Sequence, residues 1–209
     1  LLGLNQCIQE ELEKGKLIGI SLKKMQSGAS LSAKNVFGDM KFNKDYAGYE
    51  YSGKSIDGYV KLSGGTKIQF RSFGTGLGLT GFQGEVKGAN ANQGKIGLGP
   101  TNMILRSHGA PEIPTNAASR VRTDPDGVFN EIAVGLKKYG RLNQKQIEEV
   151  RESEKINTPK FLYSKLQVTQ LLNILESITN RDKRNQLVED LYLYASSQSR
   201  FSSAYYKLE

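Results

Sequence analysis

Glu85 and Lys87 stand two residues apart in the segment "FQGEVKGANANQGKIGLG". Residues i and i+2 of a β-strand project from the same face, so this carboxylate and this ammonium group would lie side by side. Asp57 lies upstream in "SIDGYV", at the rim of a predicted neighbouring strand. Carboxylate oxygens are ligands that Mg²⁺ prefers, and a metal-activated water beside a lysine suits phosphodiester hydrolysis. Asp57 and Glu85 are therefore candidate metal ligands, with Glu85 and Lys87 as candidate catalytic residues.

The same pattern has a second interpretation, because an exposed strand face commonly alternates Glu and Lys without any catalytic role. Glycines surround the pair and would let a phosphate backbone approach closely, and Lys95 lies among them as a candidate nucleic-acid contact. Both interpretations stay open from the sequence.

Arg71, in "IQFRSFG", is a further candidate nucleic-acid contact. A strand arginine between Phe70 and Phe73 could hold a phosphate bidentately while an aromatic ring stacks on a base. The alternative is a cross-strand ion pair with a neighbouring acid.

The segments "GKLIGISLKK", "IQFRSFG", "FQGEVKGANANQGKIGLG" and "YLYASSQSRFSSAYYKLE" resemble proteins encoded by tailed bacteriophages. The "SLKK" segment also resembles the catalytic strand of restriction-endonuclease-like nucleases of the PD-(D/E)XK type, in which serine replaces the usual acid before x-Lys. This resemblance implies that Ser21 and Lys23 are catalytic, that Lys24 contacts nucleic acid, and that Mg²⁺ is the cofactor. It also implies a metal-binding Asp earlier in the chain.

The sequence departs from that pattern, because the only acids before Ser21 are Glu10, Glu11 and Glu13 on a predicted helix. Three alternatives follow. The Asp belongs to an upstream stretch, which fits a chain that opens with Leu1 and no methionine; or the site is the one built on Asp57; or there is no active site.

The charge of +8 is uneven along the chain, with 14 Lys/Arg against 8 Asp/Glu in residues 1–110 and 15 against 13 in the remainder. A basic half favours a nucleic-acid partner, DNA rather than RNA, although a positive charge also aids solubility. Cys7 and His108 are single residues of their kinds, so a Cys/His zinc cluster is excluded. The apolar stretches are too short to span a bilayer, and no membrane partner is expected.

Periodicity predicts one α+β domain over residues 1–209, with an N-terminal helix, a central mostly antiparallel or mixed sheet and a C-terminal helical part. Residues 1–110 form the basic sheet-rich core, 111–127 a proline-containing connector, and 128–209 the helical part with its tail. Turns are predicted at Ser52-Gly53 and Gly64-Gly65. Asp126 and Asn143 are predicted to cap helices.

The sequence leaves two functions open. The first is a Mg²⁺-dependent nuclease-like phage protein acting on DNA. The second is a non-catalytic DNA-binding or virion structural protein of a tailed phage, with other virion proteins as partners. The location expected for either is the host cytoplasm or the virion.

Overall fold

The structure, a computed structural model, describes residues 2–14, 16, 20–21, 31–34, 44–73, 79, 81–88, 94–196 and 205–208. These residues contain eight strands and seven α-helices. The strands are β1 (Ile20–Ser21), β2 (Leu31–Lys34), β3 (Tyr46–Tyr51), β4 (Gly58–Leu62), β5 (Lys67–Ser72), β6 (Phe82–Lys87), β7 (Lys95–Gly97) and β8 (Tyr205–Leu208). The helices are α1 (Leu2–Glu13), α2 (Leu98–Ser107), α3 (Ala117–Thr123), α4 (Pro125–Lys138), α5 (Gln144–Glu152), α6 (Pro159–Ser177) and α7 (Arg181–Ala195).

The central sheet is an antiparallel meander in the order β3-β4-β5-β6-β7. Its strands alternate as a one-sided sheet requires, and β4 buries Val60 and Leu62 while Tyr59 and Lys61 stay partly exposed. Gly64 and Gly65 adopt φ values of 74° and 79° in the turn from β4 to β5, which is the left-handed region that glycine enters without steric cost. The predicted α+β class, with an N-terminal helix, an antiparallel sheet and C-terminal helices, is confirmed.

Helices α6 and α7 pack on the inner face of the sheet. This contact is close at Gly58, where a Cβ atom would lie 2.2 Å from Val168 Cγ1. Ser164 of α6 ties the layers together, because its hydroxyl accepts the N–H of Ser72 at 2.8 Å and donates to the carbonyl of Ile56 at 3.2 Å. The inner face of the sheet is thereby buried, and the outer face is left for polar side chains.

A second, three-stranded sheet has the order β1-β8-β2. Strand β8 lies in its centre, parallel to β1 and antiparallel to β2. Ser21 therefore belongs to a different sheet from Glu85 and Lys87.

Three local features differ from the sequence predictions. Helix α2 lies within the sheet-rich part, where Pro100 occupies its first turn, a position that tolerates proline. Helix α3 lies within the predicted connector. The cap of α4 is Asp124, whose side chain accepts the N–H of Gly127, so the prediction of Asp126 as the cap is wrong.

The predicted cap at Asn143 is confirmed, in a capping box with Gln146.

Candidate nucleic-acid interface

The outer face of the central sheet carries the charged residues that strand alternation directs away from the helices. The side chains of β4 to β7 on this face, charged and uncharged, are Tyr59, Lys61, Lys67, Gln69, Arg71, Gln83, Glu85, Lys87 and Lys95. Asp57 immediately precedes β4 and Glu50 belongs to β3.

Three lysines form a row across adjacent strands of this face. Lys61 on β4 pairs in register with Lys67 on β5, and Lys67 pairs with Lys87 on β6. We call these three residues the lysine row. Like charges directly opposite each other on neighbouring strands destabilise a sheet. The lysine row therefore lowers the stability of the folded sheet, and an anionic ligand would offset this repulsion.

The residues that the structure describes neutralise the lysine row only in part. Lys67 Nζ lies 3.1 Å from Glu50 Oε2 and 4.4 Å from the centroid of the Tyr59 ring. Lys87 Nζ lies 2.6 Å from Glu85 Oε2. Lys61 has no ion pair or side-chain hydrogen bond with any residue that the structure describes.

Glu85 is held between two ammonium groups. Lys87 donates to Oε2 at 2.6 Å, and Lys95 Nζ lies 3.6 Å from Oε1. The hydrogen bond from Lys87 lowers the pKa of Glu85, with Lys95 adding to the effect and partial burial opposing it. The carboxylate is therefore ionised and weakly basic, and a metal ion would have to displace its lysines.

Asp57 and Arg71 form a separate pair at the start of β4 and the end of β5. Arg71 Nη1 lies 3.6 Å from Asp57 Oδ1, and the Tyr59 hydroxyl donates to Asp57 Oδ2 at 3.4 Å. The Arg71 guanidinium stacks over the Phe73 ring, with Cζ 4.5 Å from the centroid. Arg71 thus makes the ion pair with a neighbouring acid that was one of its two sequence interpretations, while its contact with nucleic acid stays a prediction.

The two candidate metal ligands are separated by strand β5. Glu85 pairs with Gln69 of β5, whereas Asp57 contacts Arg71, two residues further along that strand. Two strand spacings amount to about 10 Å, and Mg²⁺ binds its oxygens at about 2 Å. The span of about 10 Å separates the two backbones, and each carboxylate is turned to its own cations, Asp57 to Arg71 and Glu85 to two lysines. In this arrangement the two carboxylates do not converge on one Mg²⁺ ion. Within the described ranges, no group of three or more His, Cys, Asp or Glu side chains could hold a metal.

Of the predicted site residues Ser21, Lys23 and Lys24, the structure describes only the backbone of Ser21. The backbone of Ser21 lies in β1, paired with Lys207 of β8. Lys23 and Lys24 lie outside the described residues. The structure thus brings together Glu85, Lys87 and Lys95 on the outer face, while the Ser21 strand belongs to the other sheet.

The glycines beside Glu85 have a structural role at one position at least. A Cβ atom on Gly84 would lie 2.7 Å from Phe70 Cε1 and 2.9 Å from Ile96 Cγ2. Gly84 therefore accommodates core side chains on the inner face, and does not open a path for a phosphate.

Sequence analysis missed Lys61, Lys67 and the buried Lys165. Alternation in "GYVKL" and "KIQFR" indicates that Lys61 and Lys67 face outward, but it does not give the register that aligns them with Lys87. Lys165 of α6 is fully buried, donates to the Asp57 carbonyl at 2.8 Å and lies 4.3 Å from the Tyr51 ring centroid. Burial lowers its pKa to about 7, against a smaller opposing effect of the Asp57 charge.

Comparison of the chain with models of protein families, with curated proteins and with solved structures finds no match in any of the three. None of the helices in the described part of the chain has the length and apolar character that crossing a lipid bilayer requires.

Proposed function

We propose that the protein binds nucleic acid on the outer face of its central sheet and does not cleave it. The observation that carries this proposal is the lysine row, in which three lysines stand in direct register across β4, β5 and β6. Arg71 and Lys95 extend the positive charge on the same face. The side chains of Lys67 and Lys87 are 35% and 43% exposed, so a ligand can reach them.

The spacing of the lysine row suits a phosphate backbone. Neighbouring strands lie about 4.8 Å apart, so the row covers about 10 Å. Successive phosphates of one DNA strand advance about 3.4 Å along the helix axis while also winding around it, so the row is long enough to meet more than one of them. DNA is the proposed ligand, with Tyr59 and Phe73 as rings on the same face against which bases could stack.

The state of the carboxylates favours binding over cleavage. Glu85 is already neutralised by Lys87 and Lys95, and Asp57 is paired with Arg71 across the strand that separates it from Glu85. Hydrolysis assisted by Mg²⁺ needs oxygens that converge on one ion. A nuclease role, a phage origin and a place in a virion rest on the sequence resemblance and stay predictions.

The test is the salt dependence of binding to labelled single-stranded and duplex DNA, measured by fluorescence anisotropy. Each phosphate contact contributes about 0.7 (single strand) to 0.9 (duplex) to the slope of log K against log salt. We expect Lys61→Ala/Lys67→Ala/Lys87→Ala to weaken binding and reduce the slope by about 2 to 3.

The matched control removes the same charge from exposed lysines of the helical part, as Lys137→Ala/Lys145→Ala/Lys155→Ala. We expect it to change the slope much less. An equal loss in both variants would mean that net charge alone drives binding, and it would refute the proposed interface. Metal-dependent nicking of supercoiled plasmid by the wild type, lost in Glu85→Gln, would refute the non-catalytic part of the proposal.

A further inference from the structure

A cleft of about 400 Å³ lies between the β3–β4 turn, the α4–α5 loop and helix α5. Its volume lies in the range of small-molecule sites. None of the lysine-row residues lines it, so it is distinct from the proposed nucleic-acid interface.

The floor of the cleft is apolar and closely packed. Leu142, Val150 and Ile156 line it. Gly53 of the β3–β4 turn presses against this floor, and a Cβ there would lie 2.8 Å from Leu142 Cδ2 and 3.1 Å from Val150 Cγ2. Arg141, between the lining residues Gly140 and Leu142, has a φ of 55°, a conformation that is uncommon for residues other than glycine.

Two opposite charges face the same cleft without neutralising each other. Lys54 lines it from the β3–β4 turn and Glu149 lines it from α5. Neither forms an ion pair or side-chain hydrogen bond with the other, or with any other residue in the described ranges. Gln146 and Ser153 add an amide and a hydroxyl group to the lining.

We propose that this cleft binds a small zwitterion of the amino-acid type that carries an apolar side chain. The ligand carboxylate would accept hydrogen bonds from Lys54, and its ammonium group would donate to Glu149. The apolar side chain would cover Leu142 and Val150. Each charged hydrogen bond adds to the affinity, so loss of either end of the ligand should weaken binding.

The test is isothermal titration calorimetry of the full chain with L-leucine and with its two half-molecules. These are 4-methylpentanoate, which lacks the ammonium group, and 3-methylbutylamine, which lacks the carboxylate. We expect L-leucine to bind saturably and at least about tenfold more tightly than either half-molecule. Absence of saturable L-leucine binding up to about 10 mM, or equal binding of a half-molecule, would overturn the proposal.

Variants locate the site. We expect Lys54→Met and Glu149→Gln each to weaken L-leucine binding by about tenfold or more. Lys145→Met on the same helix as Glu149, outside the cleft, should leave it unchanged. All three positions are exposed, so circular dichroism should show native folding in each variant. L-leucine binding that none of the cleft variants alters would place the ligand elsewhere and reject the assignment.

Discussion

Replacement of the buried Lys165 by Met should remove a pH dependence of folding stability that the wild type shows between pH 7 and 9. Lys165 is fully buried with the Asp57 carbonyl as its acceptor, and burial lowers its pKa from 10.5 to about 7. The unfolded chain therefore binds more protons than the folded protein above pH 7, and stability rises with pH through this window.

The size of the effect follows from the two pKa values. Each pH unit over which the unfolded chain holds one extra proton changes the free energy of unfolding by about 1.4 kcal/mol. Since Lys165 is already half-titrated in the folded protein near pH 7, the wild type should gain about 2 kcal/mol of stability between pH 7 and 9. Above this window the ionisation of tyrosines opposes the gain, because burial raises the pKa of Tyr46 and Tyr51.

The assay is urea unfolding followed by circular dichroism at pH 7, 8 and 9. Lys165→Met keeps a chain of similar length but removes the charge, so its stability should change much less with pH over this range. It also loses the hydrogen bond to the Asp57 carbonyl, which costs about 1 to 2 kcal/mol at every pH. Lys145→Met, at an exposed position, should retain the wild-type rise. A wild type whose stability is flat with pH, or a Lys165→Met variant that keeps the full rise, would refute the reasoning.

Two further substitutions test the outer face and the packing beneath it. Glu85→Gln frees Lys87 from its closest carboxylate, so DNA binding measured by anisotropy should tighten severalfold with a salt slope steeper by about 1; weaker binding would contradict the proposed interface. Gly58→Ala places a methyl group against Val168 and should destabilise the protein by about 1 to 3 kcal/mol in thermal or urea unfolding. Gly3→Ala, at an exposed position of α1 where the added Cβ meets no other side chain within 4 Å, should be neutral or stabilising by up to about 1 kcal/mol.

The fold class was accessible from the sequence because alternation and helical periodicity are local signals. The β4–β5 turn at Gly64-Gly65 followed from glycine chemistry, and the helix cap at Asn143 followed from side-chain type. Helix α2 was missed because its start contains glycine and Pro100, which usually mark a loop.

The candidate site was only partly accessible. Spacing alone placed Glu85 beside Lys87, and the structure has them 2.6 Å apart. Strand register, which aligns Lys61 and Lys67 with Lys87, depends on contacts between distant parts of the chain. The burial of Lys165 also depends on contacts between distant parts of the chain, because helical periodicity indicates one buried face whereas α6 is buried on nearly all sides.

The most direct test of the proposed interface is lysine footprinting of the DNA complex. Free protein and protein saturated with DNA are acetylated briefly, and the modification of each lysine is quantified by mass spectrometry. DNA should protect Lys61, Lys67 and Lys87 while Lys137 and Lys145 on the helices react as in the free protein. Protection of the helical lysines with an unprotected lysine row would contradict binding on the outer face.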